Sequence, residues 1–217
     1  YQNKWQTRAF LVFRSDSLLF EKYWESHNAK TVSNSFSAAK SVISFLIGIA
    51  IDEGKIKSID DPVGDYLPEY RSMGREKLTI KHLLLMASGL NWDEGKHPFS
   101  HNAEGFYGDD LKGLILRLKM VDTPGKKFNY QSGNTQILGF ILEKATGKTI
   151  TTYMKEKLWD PLGASSDAFW TLDKEQGDEK AFCCLYANAR DFALFGRVLM
   201  NGGNVDGKQL VPKNYME

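Results

Sequence analysis

Between residues 38 and 51 the chain is apolar on nearly every helical face. Val42, Ile43, Phe45, Leu46, Ile47, Ile49, Ala50 and Ile51 leave it no polar side. A helix of that kind belongs inside a protein, packed all round, and Gly54 offers it a natural stop. Upstream, RAFLVFR at 8–14 and SLLFEKYW at 17–24 flank the short polar pair Ser15-Asp16 and predict a β-hairpin. Residues 25–34 are polar and loop-like, and 55–70, with two prolines and Asp-rich turns, predict an extended connection. Thr79 is a candidate N-cap for a short apolar helix that stops at Gly89. The stretch 91–108 mixes Gly, aromatic and polar residues without period and predicts a long irregular loop. Further helices are expected at 111–120, at 135–146 with Gly147 as its stop, and at 149–158. After a polar loop near 172–180, AFCCLYANARDFALFGRVLM predicts a strand leading into a helix from Asn188, with Asp191 in its first turn. Strand-rich ends around a helical middle indicate an α+β or α/β arrangement.

Composition narrows the picture only modestly. The 217 residues suit one large domain or two small ones and can bury a sizeable core. A net charge of +1 gives no electrostatic reason to expect nucleic acid or an anionic membrane as partner. The longest apolar run is interrupted by Ser44 and Gly48, so no membrane-spanning segment is expected. The sequence starts at Tyr1, as a trimmed chain or one freed of a leader would. The two cysteines are the neighbours Cys183 and Cys184. Disulfide geometry prefers more widely separated Cα atoms, so they are expected to be two small buried apolar side chains, and they do not indicate a compartment.

Candidate chemistry lies at the start of the buried helix. Ser37 and Lys40 stand at i and i+3, on one helical face. An amine beside a hydroxyl at a helix start, near exposed backbone N–H groups, has the makings of an activated nucleophile. With 15 serines and 21 lysines in the chain, chance alone supplies a Ser-x-x-Lys pair once or twice, so the spacing means little without its context. Rival sites are weaker. The histidines (His27, His82, His97, His101) form no His-Glu-x-x-His pattern, and Pro98 argues against a helix presenting both His97 and His101 to a metal. His82 is expected to be structural. There is neither a Gly-x-Ser-x-Gly elbow nor a Gly-rich phosphate loop. Of the aromatic residues Trp92, Phe99, Phe106, Tyr107 and Trp170, most are expected to pack loops rather than line a cleft.

Five segments supply context, in this order: SFSAAK at 35–40, DDPVGDYLP at 60–68, LTIKHLLLMASGL at 78–90, PGKKFNYQSGNTQILGFILE at 124–143 and KLWDPLG at 157–163. Together they resemble the penicillin-recognising serine hydrolases: AmpC-like β-lactamases, DD-peptidases and related esterases and amidases. GKKFNYQSGNTQILG and ARDFALFGRVLMNGG are especially similar to the 6-aminohexanoate-dimer (nylon-oligomer) hydrolase branch. The resemblance implies an antiparallel sheet flanked by helices with a largely helical insertion. It implies one domain, with 1–54 and 176–217 in the sheet-and-helix region and 55–175 in the mainly helical one. Ser37 matches the acylated nucleophile and Lys40 its basic partner. Tyr130 opens the second box, Tyr130-Gln131-Ser132, in which Ser132 stands where AmpC-like enzymes carry Asn. That change weighs against strong β-lactamase activity and leaves ester or amide hydrolysis open. Ser132, Asn134 and Trp92 are the expected substrate-binding residues. Lys40 is expected to take the Ser37 proton or to hold Tyr130 as phenolate, Tyr130 to pass a proton to the leaving group, and the Ser37 N–H to form half of an oxyanion hole. The family's third box, of Lys/His-Thr/Ser-Gly or Gly-x-Gly type, is not found, and the chain resembles the family's first two-thirds. The implied substrate is a small-molecule or peptide-like amide or ester. No metal or organic cofactor is implied, oligomeric state is left open, and the periplasm or cell envelope is favoured over the cytoplasm. The competing expectations are a DD-peptidase or β-lactamase acting on cell-wall peptides or β-lactams, and a catalytically silent binding or sensor domain.

Overall fold

The computed structural model describes residues 6–14 and 17–217, so the turn expected at Ser15-Asp16 lies outside the described residues. The expected hairpin arms are β1 (Ala9–Arg14) and β2 (Ser17–Tyr23), paired antiparallel from Ala9↔Tyr23 to Arg14↔Ser17. Their register shifts between Val12 and Phe13, a bulge that increases local twist. A second antiparallel sheet has the order β3-β5-β4, with β3 at Val32–Asn34, β4 at Phe169–Trp170 and β5 at Leu185–Asn188. β3 falls in the stretch expected to be loop, because three residues are too few to show a period of two. The short pair β6 (Asn204–Val205) and β7 (Lys208–Gln209) follows later in the chain.

The predicted buried helix is α1 (Ala39–Asp52), with nine of its residues from Ala39 to Ala50 buried. It packs against α5 (Ser132–Thr146), which is buried at every position from Ser132 to Leu142 and ends at Gly147, whose φ of +68° suits glycine. α2 (Ile80–Leu84) and α4 (Leu111–Leu116) are shorter than the pattern suggests, α3 (His101–Tyr107) is a helix it does not predict, and α6 (Ile150–Met154) continues as a π-helical turn, Lys155–Trp159. α2 stops short of Gly89 because Met86 takes φ +53°. α3 replaces part of the irregular loop expected at 91–108, its start capped by the Ser100 hydroxyl, which accepts from the Ala103 N–H at 3.0 Å. Residues 55–70 hold two 3₁₀ turns, Val63–Asp65 and Pro68–Tyr70.

The cap expected at Thr79 is present, and a second is found at Asn188. Thr79 and His82 form a reciprocal capping box at α2, so His82 is structural there. Asn188 caps α7 (Ala189–Met200) by accepting the Asp191 N–H at 2.8 Å, and the buried Asp191 carboxylate accepts from Ser165, Ser166 and Asn188. A last short helix, α8 (Lys213–Met216), lays the Tyr215 ring against Gly48 of α1. Among the described residues no helix is long and apolar enough to cross a membrane.

The cysteines depart from expectation. Cys183 and Cys184 are buried, at 1% and 5% exposure, but they are bonded to each other rather than free. Their Cα atoms are 3.8 Å apart, and the chain accommodates the bridge at a bend where Cys184 takes φ +67°.

Near the end of α5, burial pushes the Glu143 carboxyl up from 4.5 to about 7, with the Glu179 and Asp178 carboxylates reinforcing the rise and Lys112 opposing it. Between those values the native state holds a proton that the unfolded chain has released, so stability falls as pH rises through this window. Glu143→Gln is therefore expected to raise the melting temperature at pH 8 and leave it nearly unchanged at pH 4.5. The gain, on the order of 1 kcal/mol after allowing for partial exposure, corresponds to about 2–4 °C. Equal shifts at both pH values in thermal melts would refute the assignment.

Candidate active site

β3 delivers the chain to the proposed nucleophile. Ser33 pairs with Ala187 and Asn34 with Tyr186 of β5, and the Ser35 N–H donates to Leu185 O at 2.8 Å. The Asn34 side chain then ties the bend from both ends: its Oδ1 accepts from the Phe36 N–H at 2.7 Å and its Nδ2 donates to Tyr186 Oη at 3.2 Å. Phe36 takes φ +44°, a left-handed conformation that costs a bulky residue roughly 1–3 kcal/mol. The next residue is Ser37, exposed in a 3₁₀ turn, Phe36–Ala38, that leads into α1. Strain next to a reactive side chain is a recurrent feature of functional sites.

Lys40, on the first turn of α1, is half-buried, and its Nζ lies 3.1 Å from Ser37 Oγ. The same nitrogen donates to the Phe182 carbonyl at 2.9 Å. It also lies 5.1 Å from the centroid of the Tyr130 ring and 5.8 Å from that of Phe182. The structure thus brings together the three residues expected to be catalytic, Ser37, Lys40 and Tyr130. Lys40 meets the face of Tyr130 rather than its oxygen, and among the described residues nothing hydrogen-bonds the Tyr130 hydroxyl, which stands on a side chain 40% exposed.

Tyr130 is located by its neighbours. The Asn129 N–H donates to Met86 O at 2.7 Å. The buried Gln131 amide donates to Leu90 O at 2.7 Å and accepts from the Ser88 hydroxyl at 3.1 Å. Ser132 opens α5, its N–H donating to Glu94 Oε2 at 2.7 Å and its hydroxyl to Glu94 Oε1 at 2.6 Å. The Trp92 indole N–H donates to Glu94 Oε2 as well, at 2.7 Å. Gly133 lets Trp92 approach α5: a Cβ there would stand 2.5 Å from the indole.

The three residues expected to bind substrate lie beneath this surface. Ser132, Asn134 and Trp92 are 2%, 1% and 4% exposed, and Ser132 and Trp92 both donate to Glu94. Asn134 donates weakly to the Met86 sulfur at 3.7 Å, and its Oδ1 is buried with no partner among the described residues. Trp92 also stacks on His101 at 5.8 Å and meets Phe182 edge-on at 6.4 Å, while Phe106 meets Phe182 at 5.3 Å. Trp170 is buried as well, so of the aromatic set only Phe99 and Tyr107 are largely exposed.

Two contributors escape the sequence. Phe182 acts through its backbone carbonyl, which no residue type announces. Glu94 sits in an aperiodic stretch, 38 positions from the serine it holds.

Comparison with known proteins places this geometry in context. The family model described as Beta-lactamase matches residues 4–213. The 6-aminohexanoate-dimer hydrolase of Paenarthrobacter ureafaciens is 28% identical over 97% of this chain and 56% of its own length. A solved Bacillus anthracis protein, provisionally named a 6-aminohexanoate-dimer hydrolase, superposes with a TM-score of 0.87 at 25% identity, over 96% of this chain and 58% of that one. A penicillin-binding protein from Bacillus halodurans shares the fold, with a TM-score of 0.75 at 20% identity over 98% of this chain and 74% of its own. The chain thus spans a little over half the length of the hydrolase relatives it matches.

Proposed function

This chain belongs to the Beta-lactamase family, and from that premise we propose that it is a serine hydrolase that cleaves a small amide or ester through an acyl intermediate on Ser37. The observation that carries the reading is the contact of Lys40 Nζ with Ser37 Oγ at 3.1 Å, beneath the face of Tyr130. In the proposed reaction Ser37 Oγ attacks the substrate carbonyl carbon as Lys40 Nζ, acting as the base, takes the hydroxyl proton. The Phe182 carbonyl holds the amine in line with the nucleophile. The tetrahedral oxyanion receives the Ser37 N–H as one donor. The exposed Tyr130 hydroxyl delivers a proton to the departing amine or alcohol and regains one from Lys40; water then attacks the acyl carbonyl, giving a proton to Lys40 Nζ, and the bond from the carbonyl carbon to Ser37 Oγ breaks as Oγ takes that proton back. The name of the Paenarthrobacter relative, a hydrolase of a 6-aminohexanoate dimer, points to an amide as the first substrate class to try.

The test is intact-protein mass spectrometry after exposure to a fluorophosphonate, a p-nitrophenyl ester, an amide and a penicillin, followed by peptide mapping. The expected result is a single adduct on the peptide bearing Ser37, formed by the ester or amide in preference to the penicillin. No adduct with any reagent would leave a silent binding domain as the better account.

A further inference from the structure

We propose that Glu94 is a positioning residue that sets Tyr130 for proton delivery to the leaving group, an inference that rests on the reading of Tyr130 given above. Among the described residues the Tyr130 ring meets the machinery through its face on Lys40, so the backbone on either side helps determine where the hydroxyl points. On the upstream side a single bond, from the Asn129 N–H to Met86 O, does this. On the downstream side the chain enters α5, whose N-cap residue Gln131 contributes no side-chain cap because its amide is committed to Leu90 and Ser88.

The orphan N–H groups of a helix start need acceptors, and the positive end of the helix favours an anion. Glu94 supplies both from a distant part of the chain. Its carboxylate accepts from the Ser132 N–H at 2.7 Å, the Ser132 hydroxyl at 2.6 Å and the Trp92 indole at 2.7 Å. Charge-assisted bonds of this length are about twice as strong as neutral ones. They clamp the residue two places after Tyr130 to Trp92, which in turn packs against Phe182, the residue whose carbonyl holds Lys40. One carboxylate thereby links the position of the proton donor to that of the base. It also gives a physical reason for serine rather than asparagine at 132: a hydroxyl donates to Glu94 at short range beside its own N–H.

A cap that merely stabilises α5 and one that positions Tyr130 differ in what they do to the leaving group. A p-nitrophenolate departs without a proton, whereas an anilide nitrogen does not. A misplacement of about 1 Å can cost up to 10²-fold in a step that depends on alignment. The experiment is the rate of Ser37 acylation by a p-nitrophenyl ester and by the p-nitroanilide of the same acyl group, in wild type, Glu94→Gln and Ser132→Ala. Thermal melts confirm that each variant is folded, and Ser132→Ala keeps the backbone bond to Glu94 should Glu94→Gln fail to fold. The expected result is a fall of about 10–100-fold with the anilide and less than about 3-fold with the ester for Glu94→Gln, and a smaller split in the same direction for Ser132→Ala. Equal losses with both substrates, or no loss, would overturn the positioning role and leave Ser37 as nucleophile. A wild type acylated by the ester but never by the anilide would also overturn it, there being no proton delivery to position. A wild type unreactive toward both would remove the serine-hydrolase reading and this role together.

Discussion

Ser37→Ala is expected to abolish the covalent adduct with every acylating reagent and to lower kcat by a factor on the order of 10⁶, the scale seen when a serine nucleophile is deleted. The fold should be almost indifferent to the change. Ser37 is exposed in the turn before α1, and its hydroxyl bonds to Lys40 rather than into the core. An exposed substitution of that kind shifts stability by no more than about 0.5 kcal/mol. A variant with an unchanged melting temperature and no adduct separates chemistry from folding. Persistent labelling of the variant at another residue would show that the reactive group had been misassigned.

Lys40 is the second expected large effect, and two substitutions divide its roles. Lys40→Met removes base and charge together, and should slow acylation of Ser37 by about 10²–10⁴-fold, the usual contribution of a positioned base. It also leaves the Phe182 carbonyl without its donor, a cost of about 1–2 kcal/mol in stability. Lys40→Arg keeps a cation near the Tyr130 and Phe182 rings, but a guanidinium does not give up its proton in a protein. If Lys40 serves as base, arginine should be nearly as impaired as methionine. If it acts only as a fixed positive charge, arginine should recover most of the rate. Stopped-flow acylation by a p-nitrophenyl ester distinguishes the two.

Both predictions concern residues that could be found by pattern, and the reason is the short range of the rules involved. Ser37 and Lys40 share a face because they lie three apart on one element, and α1 is buried because almost all of its residues are apolar. The β1–β2 hairpin, the Thr79 and Asn188 caps and the left-handed Gly147 follow from steric and hydrogen-bonding preferences that act within a few residues. The supports of the site obey no such rule. β3 is three residues long and exists because β5, some 150 positions later, offers it a partner. Glu94 and the Phe182 carbonyl reach Ser132 and Lys40 across the fold. Three non-glycine residues in left-handed backbone, Phe36, Met86 and Cys184, lie beside these joints, and a propensity scale would have assigned none of them that conformation.

Residues close together and motifs in a fixed order thus carry the family and the buried helix, and they single out Ser37, Lys40 and Tyr130 as the candidate trio. Only the folded chain shows that Ser132, Asn134 and Trp92 are buried, and that the two cysteines are joined. Which side of a residue meets water depends on what packs against it from elsewhere in the chain. Long-range packing of that kind leaves no period in the sequence.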